Sequence, residues 1–265
     1  MTETTAGSGR ITFGDDGSAG ADTAWGWVTA QRWPGWTVDV IRVSDPDPRL
    51  ESLYLHDPLH EVPEPESPRS APDEAGLAAI RHLTTAFDRR VILGEAEGDL
   101  LVVGARGRGV LKSMHLGSTV EWLMRTPRTP LVVARTAEPV RRVVACVDGS
   151  AHADAAVEAL ARLPWMAGVE VGVLTVTDDE SAGDAGERAA TRLAEAGATA
   201  TAVAVPKASS GGVKGTLLTA VEERDPDLVV LGTRGRTGLV RAVVGSVAGA
   251  VAQQVTCSVL LAHAG

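Results

Sequence analysis

The chain has 265 residues, a length that fits one large domain or two of about 130, and its 44% hydrophobic and 22% charged content supplies a core and excludes a disordered chain. A formal net charge of −9 opposes binding to a phosphate backbone, which draws its affinity from clustered Lys and Arg, so no nucleic acid is expected as a partner. No window reaches the roughly 20 apolar residues that span a bilayer, and Met1 to Arg10 lacks a signal peptide's apolar region, so the expectation is a cytoplasmic protein with no membrane partner.

In chain order, the run from Arg10 to Ser18 reads as strand, Asp16-Gly17-Ser18 turn and the start of an Ala-containing helix. Trp25, Trp27, Trp33 and Trp36 follow as a local cluster; in a chain this acidic they are expected in core or interface packing rather than base stacking. A strand is expected at Thr37 to Val43. The stretch from Asp45 to Pro72 carries seven prolines and cannot be a regular helix throughout. His56 and His60 have the spacing of a helical metal pair, but Pro58 lies between them, so they are read as loop residues. Ile80 to Ala86 is read as a third strand and Asp88 to Glu95 as a short helix, with a single longer helix over Ala75 to Leu93 as the alternative. Strands at Leu100 to Val103 and Leu131 to Ala134 complete a first domain, 1–136, and Thr136 to Arg141 is the expected linker to a second, 141–265.

The second stretch reads more plainly. After Arg142 to Ser150 come strand Val169 to Val176, helix Asp184 to Ala196, strand Thr199 to Val205, helix Val213 to Arg224, strand Leu228 to Leu231 and strand Ser258 to Ala262. Strands alternating with helices predict an α/β fold with a doubly wound parallel sheet. Cys146 and Cys257 sit in or beside strand-like apolar runs and are expected to be buried thiols.

The two stretches are copies of one pattern. Asp99-Leu-Leu-Val-Val-Gly104-Ala-Arg106-Gly107 is followed, nine residues on, by Gly117-Ser118; Asp227-Leu-Val-Val-Leu-Gly232-Thr-Arg234-Gly235 is followed at the same spacing by Gly245-Ser246. Each residue of the second run lies 128 positions after its counterpart, whereas Asp148-Gly149-Ser150 lies 132 after Asp16-Gly17-Ser18. The first copy is therefore longer in its middle, where the prolines are.

In a doubly wound sheet the ligand crevice opens at the carboxyl ends of strands where the winding reverses, here between the first and fourth. Asp16 and Asp148 close their first strands and Gly104 and Gly232 their fourth, so folding brings a carboxylate against a glycine-rich loop. Glycines let backbone N–H groups approach a polyphosphate, and Gly117-Ser118 and Gly245-Ser246 are placed to start helices whose N-termini favour anions, Ser118 and Ser246 adding hydroxyls. Arg106 and Arg234 are candidate phosphate contacts. Neither a Walker sequence nor a complete Gly-x-Gly-x-x-Gly after the first strand occurs. Each feature has a plain structural use as well: Asp16 and Asp148 as helix caps, the glycines as turn residues, the arginines as solvated loop charges.

Asp-Gly-Ser after the first strand with Gly-x-x-Gly, nine residues, then Gly-Ser after the fourth resembles the universal stress proteins, in both halves and over nearly the whole chain. The resemblance implies two tandem adenine nucleotide alpha hydrolase-like domains of strand order 3-2-1-4-5. It implies ATP binding, with ADP or AMP as other ligands and Mg²⁺ accompanying ATP, and it places Asp16, Val43, Asp148 and Val176 around the adenosine. It also implies pairing through the last strands, so that the chain forms its own pseudo-dimer, and then a homodimer of those. The expected function is a stress-response or regulatory module. A slow ATPase or nucleotidyl transferase is the second reading, since no general base or metal cluster for turnover is evident in the sequence. A ligand-free dimerisation scaffold is the third, and the altered first copy favours it for that half.

Overall fold

The computed structural model describes residues 8–43, 68–85, 88–106, 116–125, 128–177, 183–235 and 244–264. The loop calls on His56 and His60, the call on Gly107 and most of the proline-rich segment lie outside the described residues.

The first half runs β1 (Arg10–Asp15), α1 (Ala19–Ala30), β2 (Thr37–Val43), β3 (Ala79–Thr85), α2 (Arg89–Glu95), β4 (Leu100–Gly104), α3 (Ser118–Arg125) and β5 (Leu131–Ala134). The second runs β6 (Arg142–Cys146), α4 (Ala151–Ala161), β7 (Glu170–Thr177), α5 (Gly183–Glu195), β8 (Thr199–Pro206), α6 (Gly212–Arg224), β9 (Leu228–Gly232), α7 (Ser246–Gln254) and β10 (Ser258–Ala262). The strand at 79–85 and the helix behind it decide against one helix over Ala75 to Leu93.

All ten strands form one sheet, ordered β3-β2-β1-β4-β5-β10-β9-β6-β7-β8. Read from either edge towards the centre, each half has the expected 3-2-1-4-5 order. Every pairing is parallel except the central one, where β5 and β10 run antiparallel with Val133 opposite Val259. That junction is the pairing through last strands that the resemblance implies, made within one chain. The inner strands β4, β5, β9 and β10 are continuous apolar runs because helices cover both their faces. One face carries α1, α4 and α5 over Phe13, Val40, Leu100, Val173 and Leu228; the other carries α2, α3, α6 and α7 over Leu101, Val133, Leu174, Val229 and Leu261. Small Ala and Val side chains dominate both layers, as a composition with 3% aromatics requires.

The tryptophans are core residues, not a stacking platform. Trp25 packs edge-on to Phe13 at 5.1 Å. Trp27 and Trp33 lie 6.2 and 6.1 Å from Trp165 of the other half, so indoles from both halves meet on one face of the shared sheet. Gln31, at the end of α1, clamps the connector: its amide nitrogen donates to the carbonyls of Trp27 and Glu138, and its oxygen accepts from Val140 N–H at 3.0 Å. Across the sheet, Arg135 donates from Nη2 to the Ala252 carbonyl at 2.5 Å in the last turn of α7, a favourable place for a cation. Cys146 and Cys257 are buried free thiols, and burial pushes their pKa values up to about 12 and about 11. Among the described residues no helix is long and apolar enough to cross a membrane.

The first half departs from the second between its second and third strands. Where α5 covers β7 and β8, the described residues 68–78 supply a 3-10 turn, Asp73–Ala75, stapled to the end of α1. Trp33 N–H donates to the Ala75 carbonyl at 2.7 Å, Ala78 N–H to the Trp36 carbonyl at 2.7 Å, and Trp25 Nε1 to the Ser70 carbonyl at 2.8 Å.

Candidate functional site

The turns and loops of the repeat come together at two places, here termed crevices, at the carboxyl ends of β1 and β4 and of β6 and β9. In each, the strand gives way to a turn whose glycine needs a left-handed backbone, Gly17 at φ 66° and Gly149 at φ 74°. The turn delivers a serine to the helix N-cap. Ser18 accepts from Ala21 N–H and Ser150 from Ala153 N–H, both at 3.2 Å. The serines, not the aspartates, are therefore the caps. Asp16 and Asp148 instead each accept the N–H of that serine, at 3.1 and 3.0 Å. The first strands stop at Asp15 and Cys146, so both aspartates sit in the turn just beyond rather than on the strand itself.

The glycine loops come to those turns. Ser18 Oγ donates to the Arg106 carbonyl at 3.3 Å and Ser150 Oγ to the Arg234 carbonyl at 3.5 Å. The far ends of the loops return to the same strands: Gly117 N–H donates to the Ala105 carbonyl at 3.0 Å and Gly245 N–H to the Thr233 carbonyl at 2.8 Å. The close approach explains the glycines. A Cβ on Gly104 would run into the Gly20 carbonyl, and one on Gly232 would lie 2.6 Å from the His152 carbonyl carbon. A Cβ on Gly235 would lie 2.8 Å from Asp148 Oδ2, so that glycine leaves open the space directly beside the carboxylate. Asp148 and Gly235 are exposed, and Ser118 and Ser246, exposed first residues of α3 and α7, follow Gly117 and Gly245.

These contacts gather Asp16, Gly104, Arg106, Gly117 and Ser118 at one crevice and Asp148, Gly232, Arg234, Gly235, Gly245 and Ser246 at the other. Val43 ends β2, in register with Thr85; Val176 lies one residue before the end of β7, half-buried at the rim of the core. The arrangement can do three things chemically. Among the described residues it offers hydrogen-bond acceptors from a carboxylate, a close approach of the loop backbone at a glycine, and the anion-favouring end of a helix. Among the described residues no three His, Cys, Asp or Glu side chains lie together to hold a metal ion.

Sequence reasoning missed two groups beside the crevices. In the first half Asp15, with its side chain fully buried, receives Arg69 at 2.9 and 3.0 Å and Arg42 Nη2 at 2.7 Å, while Arg69 also reaches Asp22 at 2.7 Å. Burial alone would raise the Asp15 pKa; hydrogen bonds from Arg69, Gly17 N–H and Arg42 outweigh it and hold the carboxyl down to about 2. In the second half His152 and His263 are stacked. The first group could have been suspected from consecutive acids at 15 and 16 where the second copy has Val147 and Asp148; the second had no signal, since its members are distant in sequence.

Comparison with known proteins agrees with the repeat. The family model described as the universal stress protein family matches residues 7–135 and again 139–263. A universal stress protein from Archaeoglobus fulgidus superposes with a TM-score of 0.64 at 16% identity, covering 97% of each chain. A protein of unknown function from Pseudomonas aeruginosa PAO1 gives 0.57 at 15% identity, covering 96% of this chain and 92% of its own. At these identities the likeness to solved structures shows the fold. No curated protein matches the sequence.

Proposed function

The chain belongs to the universal stress protein family, and we propose that within it this protein is an adenine-nucleotide-binding module, with ATP as the foremost ligand and ADP or AMP as others, acting in a stress response or its regulation. The observation that carries the reading is the space beside Asp148. Gly235 holds the loop backbone against the carboxylate, where any side chain would intrude, and the N-terminus of α7 follows the same loop. A carboxylate that takes a ribose or adenine donor, next to a helix N-terminus that favours phosphates, suits a nucleotide.

The geometry is repeated in the first half around Asp16 and Gly104, which supports two crevices per chain of unequal quality. Turnover would need a positioned nucleophile or base in addition to the cradle, and the described residues at either crevice offer no such arrangement. We therefore read the nucleotide as a signal that is held rather than spent. We place the protein in the cytoplasm, where ATP is available.

The reading is tested by denaturing purified protein, identifying any released ligand by mass spectrometry, and titrating ATP, ADP and AMP calorimetrically into the emptied, refolded chain. Saturable binding of an adenine nucleotide without hydrolysis is the expected result. Repeated turnover would move the protein to the ATPase class, and failure of all three to bind folded protein would leave the ligand-free scaffold.

A further inference from the structure

At the second crevice two imidazoles join three separate pieces of chain. His152 is the second residue of α4, and His263 follows the last strand; their rings stack with centroids 4.4 Å apart and planes 24° from parallel. His152 Nδ1 accepts the Ala264 N–H at 3.0 Å. His263 Nδ1 lies 3.0 Å from Thr233 Oγ1, and Thr233 leads directly into Arg234 and Gly235. The pair thus ties the C-terminal segment, the N-terminus of α4 and the start of the second glycine loop.

The hydrogen bonding constrains the protonation state. A ring nitrogen that accepts an amide N–H carries no proton, so the bond to Ala264 requires a bare Nδ1 on His152. Protonating Nδ1 would set one donor against another and break the bond to Ala264. A cation there also meets the positive end of α4, and two stacked cations repel. We propose that the His152–His263 stack is a proton-operated latch, closed when both rings are neutral and opened by acid, which fastens the chain end to the root of the second glycine loop.

The surroundings agree in sign. Burial, then His152 and Arg234, push the His263 pKa below its ordinary value. Among the described residues the charged group that acts on His263 is Arg234, from the turn after β9; Asp154 lies in the first turn of α4, two residues after His152, and Asp148 lies beside Gly235. A histidine whose folded pKa is depressed stabilises the closed form above its unfolded value near 6.5, and that stabilisation is lost as pH falls below it. The first half has no counterpart: Gly20, Ala105 and Arg135 stand where the second half has His152, Thr233 and His263. Control of ligand by the latch, which rests on the nucleotide reading above, follows because Thr233, which His263 holds, leads through Arg234 to Gly235 beside Asp148.

The test compares wild type with the double variant His152→Asn, His263→Phe, which keeps an acceptor and a ring but cannot titrate. Backbone amide exchange without ligand, corrected for the intrinsic pH dependence of exchange, is followed from about pH 7.5 to about pH 5. Protection at Ala264 should fall about tenfold or more in wild type and stay level in the double variant. Level protection in wild type, or an equal fall in both proteins, overturns the latch. ATP titrations at the same two pH values form the second arm, with affinity expected to weaken on acidification more in wild type than in the double variant. An equal weakening overturns control of the site. Absence of ATP binding at either pH defeats the nucleotide reading instead and leaves the exchange result to decide the latch.

Discussion

The two halves of the chain keep the same turns and loops at the crevice and differ in what packs beside them. In both, an aspartate receives a serine N–H and the serine hydroxyl reaches the loop carbonyl. Beside that shared frame the first half buries a carboxylate between two guanidinium groups, where the second has Val147 and the hydroxyl of Thr175. Arg69 comes from the segment that stands in for α5, so the ion pairs do for the first half part of what helix packing does for the second. Selection on a repeated site can hold the backbone geometry constant while the covering layer is rebuilt with different chemistry.

The comparison is broken hardest at the indoles that join the halves. Trp165→Ala removes the ring that meets Trp27 and Trp33, and the expected cost is about 3–5 kcal/mol. Urea denaturation should show a lower midpoint, with the two halves unfolding less cooperatively; an unchanged midpoint would mean that the halves stand independently. Next comes the ion cluster. Arg69→Ala leaves buried Asp15 with Arg42 and the Gly17 N–H and should cost about 3 kcal/mol, whereas the double variant Asp15→Val, Arg69→Leu, which gives the first half the second half's valine, should recover most of that loss.

Asp15 also sets an acid limit. Its folded pKa lies below the ordinary carboxylate value, so the stability it contributes is present above about pH 4 and is lost as pH falls through about 2. Acid unfolding of wild type should therefore be steeper over that interval than that of the Asp15→Val, Arg69→Leu variant. Parallel curves would show that the cluster does not carry the pH dependence. A smaller and symmetric effect is expected at the caps: Ser18→Ala and Ser150→Ala should each cost about 1 kcal/mol. A much larger loss for one of them would mark its crevice as the more tightly coupled to the fold.

Much of this architecture was legible in the sequence. The repeated Asp-Gly-Ser and glycine motifs come together at the strand ends, and the strands at Leu131 to Ala134 and Ser258 to Ala262 fall where apolar runs place them, since buried strands covered on both faces admit mostly aliphatic side chains. Even the short helix behind Asp88 was readable, because Asp88 caps it. What could not be read depends on contacts between distant positions. Asp15 meets Arg69 across 54 residues that include the proline-rich stretch, and His152 meets His263 only because the segment after β10 returns to α4. The role of the aspartates was open for a related reason: a carboxylate and a hydroxyl two residues apart are both good caps, and only the turn geometry assigns the cap to serine.

The central claim is that the glycine loop and the aspartate of each half hold a nucleotide between them. It is tested most directly by counting ATP bound per chain, by calorimetry or native mass spectrometry, in wild type, Gly235→Glu and Gly107→Glu, with circular dichroism confirming that each variant is folded. Gly235→Glu drives a side chain into the space beside Asp148 and should abolish binding in the second half, and Gly107→Glu should do the same for whatever the first half binds. ATP bound equally by wild type and by both folded variants, or by none of the three, would contradict the account.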